Sequence, residues 1–152
     1  MTLRWLLAAG HLLALGIGLG AVWARGRGLQ GTLDATGMRR VLYADTWWGI
    51  AALLWISTGL IRAFGGFEKG SSYYLSNHFF WAKMVLLIAI LVLELRPMIA
   101  FIQWRRVMGS GGTPDTKHAR TFARISFVQG VLVVLMVLAA TGMARGLGIP
   151  AR

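Results

Sequence analysis

Among the polar side chains that break into the apolar stretches of this chain, five stand out by type and helical depth: His11, Asp45, Lys83, Glu94 and Gln129. A charged group at the centre of a bilayer costs about 2.5–3.5 kcal/mol on insertion scales, so it turns toward a bundle interior and finds a partner. At about 1.5 Å of rise per residue, His11 lies about 9 Å below the outer edge of its apolar run and Lys83 about 6 Å below that of its own. The two share a layer. Imidazole titrates near neutral pH and is the commonest biological metal ligand, so His11 reads as an axial ligand to a haem iron or a proton carrier. The plainer alternative is a histidine bonded to a neighbouring helix. Lys83 either pairs with a ligand carboxylate such as a porphyrin propionate, or snorkels along its own stem to the headgroups. His11, Lys83 and Arg40 form the candidate cofactor site, with haem b as cofactor and His11 on the iron.

A second polar layer lies toward the other face. Asp45 sits about 5 Å inside its run and Glu94 about 8 Å from the end of its own, with Gln129 placed to hydrogen-bond to them. Lys83 and Glu94 are eleven residues apart, three helical turns, with Leu87 and Ile90 between them on one face. Glu94 is expected to pair with Arg40 or Arg96; the sharper reading makes the two layers the ends of a proton or electron route. Pro97 removes a backbone donor and frees the carbonyl of Leu93. No serine has a histidine beside it, since Ser57 lacks a histidine on its own stretch, which argues against hydrolytic catalysis. His78 at an interface and His118 in a connection leave no basis for a multi-histidine metal cluster.

The elements that carry these layers are four apolar runs, about 5–24, 42–61, 79–101 and 125–143. Each matches the ~20 residues a helix needs to cross a ~30 Å hydrocarbon layer. Hydrophobic residues make up 57% of the 152 and charged ones 14%, so the spans must satisfy their own backbone groups as helices. No segment alternates as a transmembrane barrel strand does. The expected fold is a single all-α domain, 1–152, a four-helix transmembrane bundle in contact with the lipid bilayer. An N-terminal signal peptide would share the basic start and apolar core, but His11 in mid-core and the long apolar stretch oppose it.

The formal charge of +11 does not point to nucleic acid, because the basic residues sit at span ends. Arg25, Arg27, Arg39 and Arg40 fall in the first connection, read as 25–40, and Arg105, Arg106, Lys117, Arg120 and Arg124 in the third. Basic residues in short loops mark the cytoplasmic side, which puts both termini and the 62–78 connection outside. Trp5 and Trp81 are expected at the outer interface and Trp23, Trp47, Trp48 and Trp104 at the inner one. The absence of cysteine removes disulfides and thiolate chemistry. Gly26, Gly28 and Gly31 spell G-x-G-x-x-G without the strand a dinucleotide site requires, and read as a flexible loop. Gly49, Ala52, Gly59 and Ala63 on the second run, and Gly16 with Gly20 on the first, are expected to seat neighbouring helices.

The passage Tyr43-Ala-Asp45, Gly49, Thr58-Gly59-Leu-Ile-Arg62, Glu68-Lys69-Gly70, Tyr73-Tyr74-Leu-Ser-Asn77-His78-Phe-Phe80-Trp81-Ala-Lys83 resembles a bacterial domain-of-unknown-function family of small four-span inner-membrane proteins. A more distant resemblance is to HemJ-type protoporphyrinogen oxidase. It rests on His11, on Met38-Arg39-Arg40-Val-Leu and on Trp81-Ala82-Lys83. It implies haem binding through a first-helix histidine and a third-helix lysine; Trp47 and Trp48 stand where that family carries a proline. The resulting expectation is a multi-pass protein of the bacterial inner membrane that binds b-type haem or a porphyrin and is redox-active. The alternatives are a non-enzymatic accessory subunit of a larger membrane complex, and a small-solute or proton permease working as a homo-oligomer.

Overall fold

The computed structural model describes residues 2–65 and 71–148. It is helical throughout, with no strand among the described residues: α1 Thr2–Gln30, α2 Ala35–Phe64, α3 Ser71–Leu75, α4 His78–Gly109 and α5 Ala119–Ala144. The four long helices hold 26 to 32 residues, hence about 39–48 Å each, more than the hydrocarbon layer needs. They therefore outrun the expected spans at both ends and carry their basic flanks out in helical form.

This lengthening corrects the first connection. α1 continues through Arg25 and Arg27 to Gln30, and only residues 31–34 link it to α2. Asp34 caps α2, its Oδ1 accepting from the Gly37 amide at 2.7 Å, which satisfies one of the helix's open N–H groups. The glycine run is not a flexible loop. A Cβ on Gly26 would lie 2.9 Å from the Phe127 ring, and one on Gly28 2.9 Å from Val41 Cγ2. These two glycines let α5 and α2 approach the end of α1 closely. By contrast Gly16, Gly20 and Gly49 have nothing within 4 Å of such a position; they seat no helix of this chain.

α1 packs along α2 and against α5, and α5 packs along α4. α2 and α4 close the ring through side chains instead, with Trp48 reaching Glu94, Arg105 reaching Asp45 and Phe64 meeting Phe80. α1 and α4 thus stand at opposite corners. Leu29, Val41, Phe101, Trp104 and Phe122 fill the core at the end with the two short connections. A second core in the middle holds Val22, Trp48, Ile90, Val133 and Met136.

The other end carries α3 and both described ends of the chain. Here the Tyr73 hydroxyl donates to the Met143 carbonyl at 2.9 Å, Asn77 Nδ2 donates to that of Leu147 at 3.0 Å, and the His78 amide to that of Gly148 at 3.0 Å. Asn77 also caps α4 through its Oδ1. The Tyr-Tyr-x-x-Asn block is therefore a clamp on the segment after α5; its Lys69 and Gly70 lie outside the described residues. The tryptophan expectation divides: Trp5, Trp23, Trp47 and Trp81 are exposed, whereas Trp48 and Trp104 are buried. Both buried indoles donate inward, to Glu94 and to the Asp115 carbonyl.

Candidate functional site

Two polar centres lie inside the bundle, each with a member on α1. The first surrounds Arg25, which is 0% exposed. Its guanidinium uses all five N–H donors. Nε donates to Ser126 Oγ at 3.0 Å, Nη1 to Asp45 at 2.9 Å and Glu94 at 2.7 Å, and Nη2 to Glu94 at 2.9 Å and Gln129 at 2.7 Å. The Glu94 pairing is the bidentate fork that suits guanidinium to carboxylate. Glu94 Oε2 also accepts from Trp48 Nε1 at 3.1 Å and Gln129 Nε2 at 2.8 Å. The second oxygen of Asp45 accepts from Arg105 at 2.9 Å. Two arginines thus face two carboxylates, and the cluster is electrically neutral.

The structure brings Asp45, Glu94 and Gln129 together, one from each of α2, α4 and α5. It does not pair Glu94 with Arg40 or Arg96, which are both exposed. The partner is Arg25, which the reading of the sequence placed in a loop. Arg40 stands eighteen residues before Thr58 on α2, about 27 Å along the helix, and so cannot share a site with His11.

The second centre is a cavity of about 400 Å³ in the half of the bundle toward α3, within the 300–1,000 Å³ typical of small-molecule sites. His11 from α1, Arg62 from α2, Tyr73 and Tyr74 from α3 and Lys83 from α4 supply its polar wall. Most of the remaining surface is apolar, including Leu15, Trp55, Leu87 and three methionines, Met84, Met136 and Met143. The shared layer inferred for His11 and Lys83 corresponds here to one cavity. Arg62 was not among the expected site residues; it fell at the start of the 62–78 connection.

The His11 ring is held by α2. Thr58 Oγ1 lies 2.6 Å from the Leu54 carbonyl, where its single proton goes. At 2.9 Å from His11 Nδ1 the same oxygen is placed to accept, which makes Nδ1 the donor of that bond. Gly59 makes room for the ring, since a Cβ there would sit 3.3 Å from His11 Cε1. The Trp55 ring packs 5.7 Å away, centroid to centroid. Among the described residues no group of three or more histidines or carboxylates could hold a bare metal ion.

The chain matches the family described as "Predicted membrane protein (DUF2214)" over residues 3–148, nearly its whole length. No curated protein matches it, and no solved structure does; the HemJ resemblance thus has no counterpart among the matches. With four helices long and apolar enough to cross a bilayer and a family match that spans all of them, the chain is a multi-pass membrane protein and belongs to the DUF2214 family.

Proposed function

We propose that the cavity between His11 and Lys83 binds a tetrapyrrole, with haem b as the cofactor, and that the protein is a redox-active b-type bundle. The observation that carries this reading is the cavity of about 400 Å³ itself, which places His11, Arg62 and Lys83 in an otherwise mostly apolar wall. Arg62 of α2 and Lys83 of α4 both line it, which gives the wall the positive charge that suits a ligand bearing carboxylates. The apolar lining suits its flat body. Bound there, haem would supply one-electron chemistry, while the protein would contribute ligation, burial and charge. The basic residues at the two short connections favour that end as the cytoplasmic one, and the bacterial inner membrane as the location.

The geometry gives less support to a permease. A solute leaving the cavity toward the Arg25 end meets buried Trp48, Ile90 and Val133, then a guanidinium with no donor to spare. The accessory-subunit reading draws on that same saturated cluster, which holds four helices in register without needing a ligand. The deciding experiment is a reduced-minus-oxidised absorption spectrum of detergent-purified protein from haem-sufficient cells. Sharp α and β bands that vanish in His11→Ala, with helicity and monodispersity retained, are the expected result. A flat spectrum from folded wild-type protein overturns the proposal.

A further inference from the structure

We infer that the cavity exchanges its ligand sideways with the bilayer, through the seam between α2 and α4, and that this ligand is a lipid-dissolved molecule with an acceptor oxygen for the Trp55 indole. The inference goes beyond the haem reading and does not need the ligand to be haem. A porphyrin carboxylate and a quinone carbonyl supply the same acceptor.

The seam is the loosest side of the bundle. α1 packs on α2 and α5, and α5 on α4, whereas α2 and α4 meet through side chains. They meet at two levels. Toward the Arg25 end Trp48 reaches Glu94 and Arg105 reaches Asp45; toward α3 the Phe64 ring meets that of Phe80 at 6.2 Å. Sixteen residues separate Trp48 from Phe64 on α2, about 24 Å of helix. Within that interval Leu60 of α2 and Met84 of α4 both line the cavity. Each lies four residues inward from the Phe64–Phe80 contact on antiparallel helices, so the two stand at one level. Leu60 is also 52% exposed, which brings the cavity out to the lipid-facing surface at this point. In a bilayer that surface is hydrocarbon, and whatever enters across it is dissolved in lipid.

Trp55 sets the polar requirement. It stands seven residues from Trp48 on α2 and lines the cavity, its ring 5.7 Å from that of His11. The two indoles differ in one respect. Trp48 Nε1 donates to Glu94 at 3.1 Å, whereas Trp55 Nε1 is buried and has no acceptor among the described residues. A buried N–H left unpaired costs free energy that a ligand oxygen recovers. Behind the ring, a void of about 10 Å³ lined by Gly18, Ala51 and Ala52 gives it room to turn the N–H toward a ligand.

The chain has no cysteine, so the seam can be closed chemically. Leu60→Cys with Met84→Cys, bridged by a short bis-maleimide in lipid nanodiscs, should load zinc protoporphyrin or decylubiquinone at least tenfold more slowly than the same variant unbridged. In wild-type protein the indole N–H resonance that is missing from Trp55→Phe should move downfield on binding, and Trp55→Phe should bind the probe about tenfold less tightly. Equal loading with and without the bridge overturns the lateral route. An unmoved Trp55 resonance, or an unchanged affinity in Trp55→Phe, overturns the acceptor. Binding of the quinone alone overturns the haem proposal and leaves this inference standing, whereas porphyrin binding at a rate indifferent to the bridge does the reverse. Failure of both probes to bind wild-type protein overturns this inference.

Discussion

His11 and Arg25 are fourteen residues apart on α1, close to four whole turns, so they project from nearly the same face. One helix face thus carries two polar groups into two depths of the bundle, with opposite results. Around Arg25 every N–H has an acceptor and the charges sum to zero; the space is filled. Around His11 the same four helices leave about 400 Å³, with cationic and phenolic groups in its wall. A polar side chain in a membrane helix is thus not functional by its chemistry alone. What separates the lock from the candidate ligand site is whether the space around it is filled.

The largest test of that contrast removes the lock. Arg25→Ala leaves Asp45 and Glu94 as two close, partly buried carboxylates with Arg105 the one arginine of the cluster that remains, and the expected loss is about 3–5 kcal/mol. It is read as a fall in Tm or in helix retention in detergent. Combining Arg25→Met with Asp45→Asn and Glu94→Gln removes the charges together and should recover much of that loss, because a neutral replacement of a buried ion cluster is often tolerated. If the triple variant is no better than Arg25→Ala, the cluster does more than hold the helices.

A smaller effect compares packing at the two ends with one chemistry. Ala123 is 1% exposed in the core beside Phe101 and Phe122, and Ala140 lines the cavity. Both lie on α5. Ala123→Leu overpacks a filled core and should cost about 1–3 kcal/mol. Ala140→Leu places its extra carbons in the cavity and should be neutral or slightly stabilising, while narrowing the site proposed for haem. Thermal unfolding of the two variants side by side checks the sign; equal destabilisation would contradict the packing difference.

Much of this was legible in the residues. Four apolar runs, with Lys83, Leu87, Ile90 and Glu94 on one helix face, give the spans and their inward side, because a hydrocarbon layer tolerates few other arrangements. The residue at the centre of the lock was not. Arg25 follows the apolar run at Ala24, and a basic residue just past such a run is normally an interfacial anchor. The overlooked signal was its helical phase: His11, Gly18 and Arg25 recur every seven residues, and Gly18 packs on Ala51 and Trp48. Trp47 and Trp48 misled in a related way. Neighbouring indoles at a border both read as belt residues, but adjacent positions on a helix are 100° apart, and only one of them faces lipid. The glycine run read as a loop because glycine disfavours isolated helices, whereas in a membrane bundle it marks close helix approach.

The smallest expected effect lies outside both centres, in the connection 110–118. The Asp115 carboxyl is held below its ordinary value, first by a hydrogen bond from the Lys117 amide and then by the Lys117 side chain; the two contacts are each 3.0 Å long. A carboxyl whose folded pKa is depressed contributes stability that is fully present above its unfolded pKa and lost as pH falls through the folded one. The window is therefore acidic, starting near the ordinary value of about 3.8 and extending below it. Because the pair is fully exposed, solvent screens it and its contribution is slight. A carboxyl-carbon NMR titration should place the Asp115 midpoint below that of a free aspartate, and Lys117→Ala should raise it only partway, since the amide bond remains.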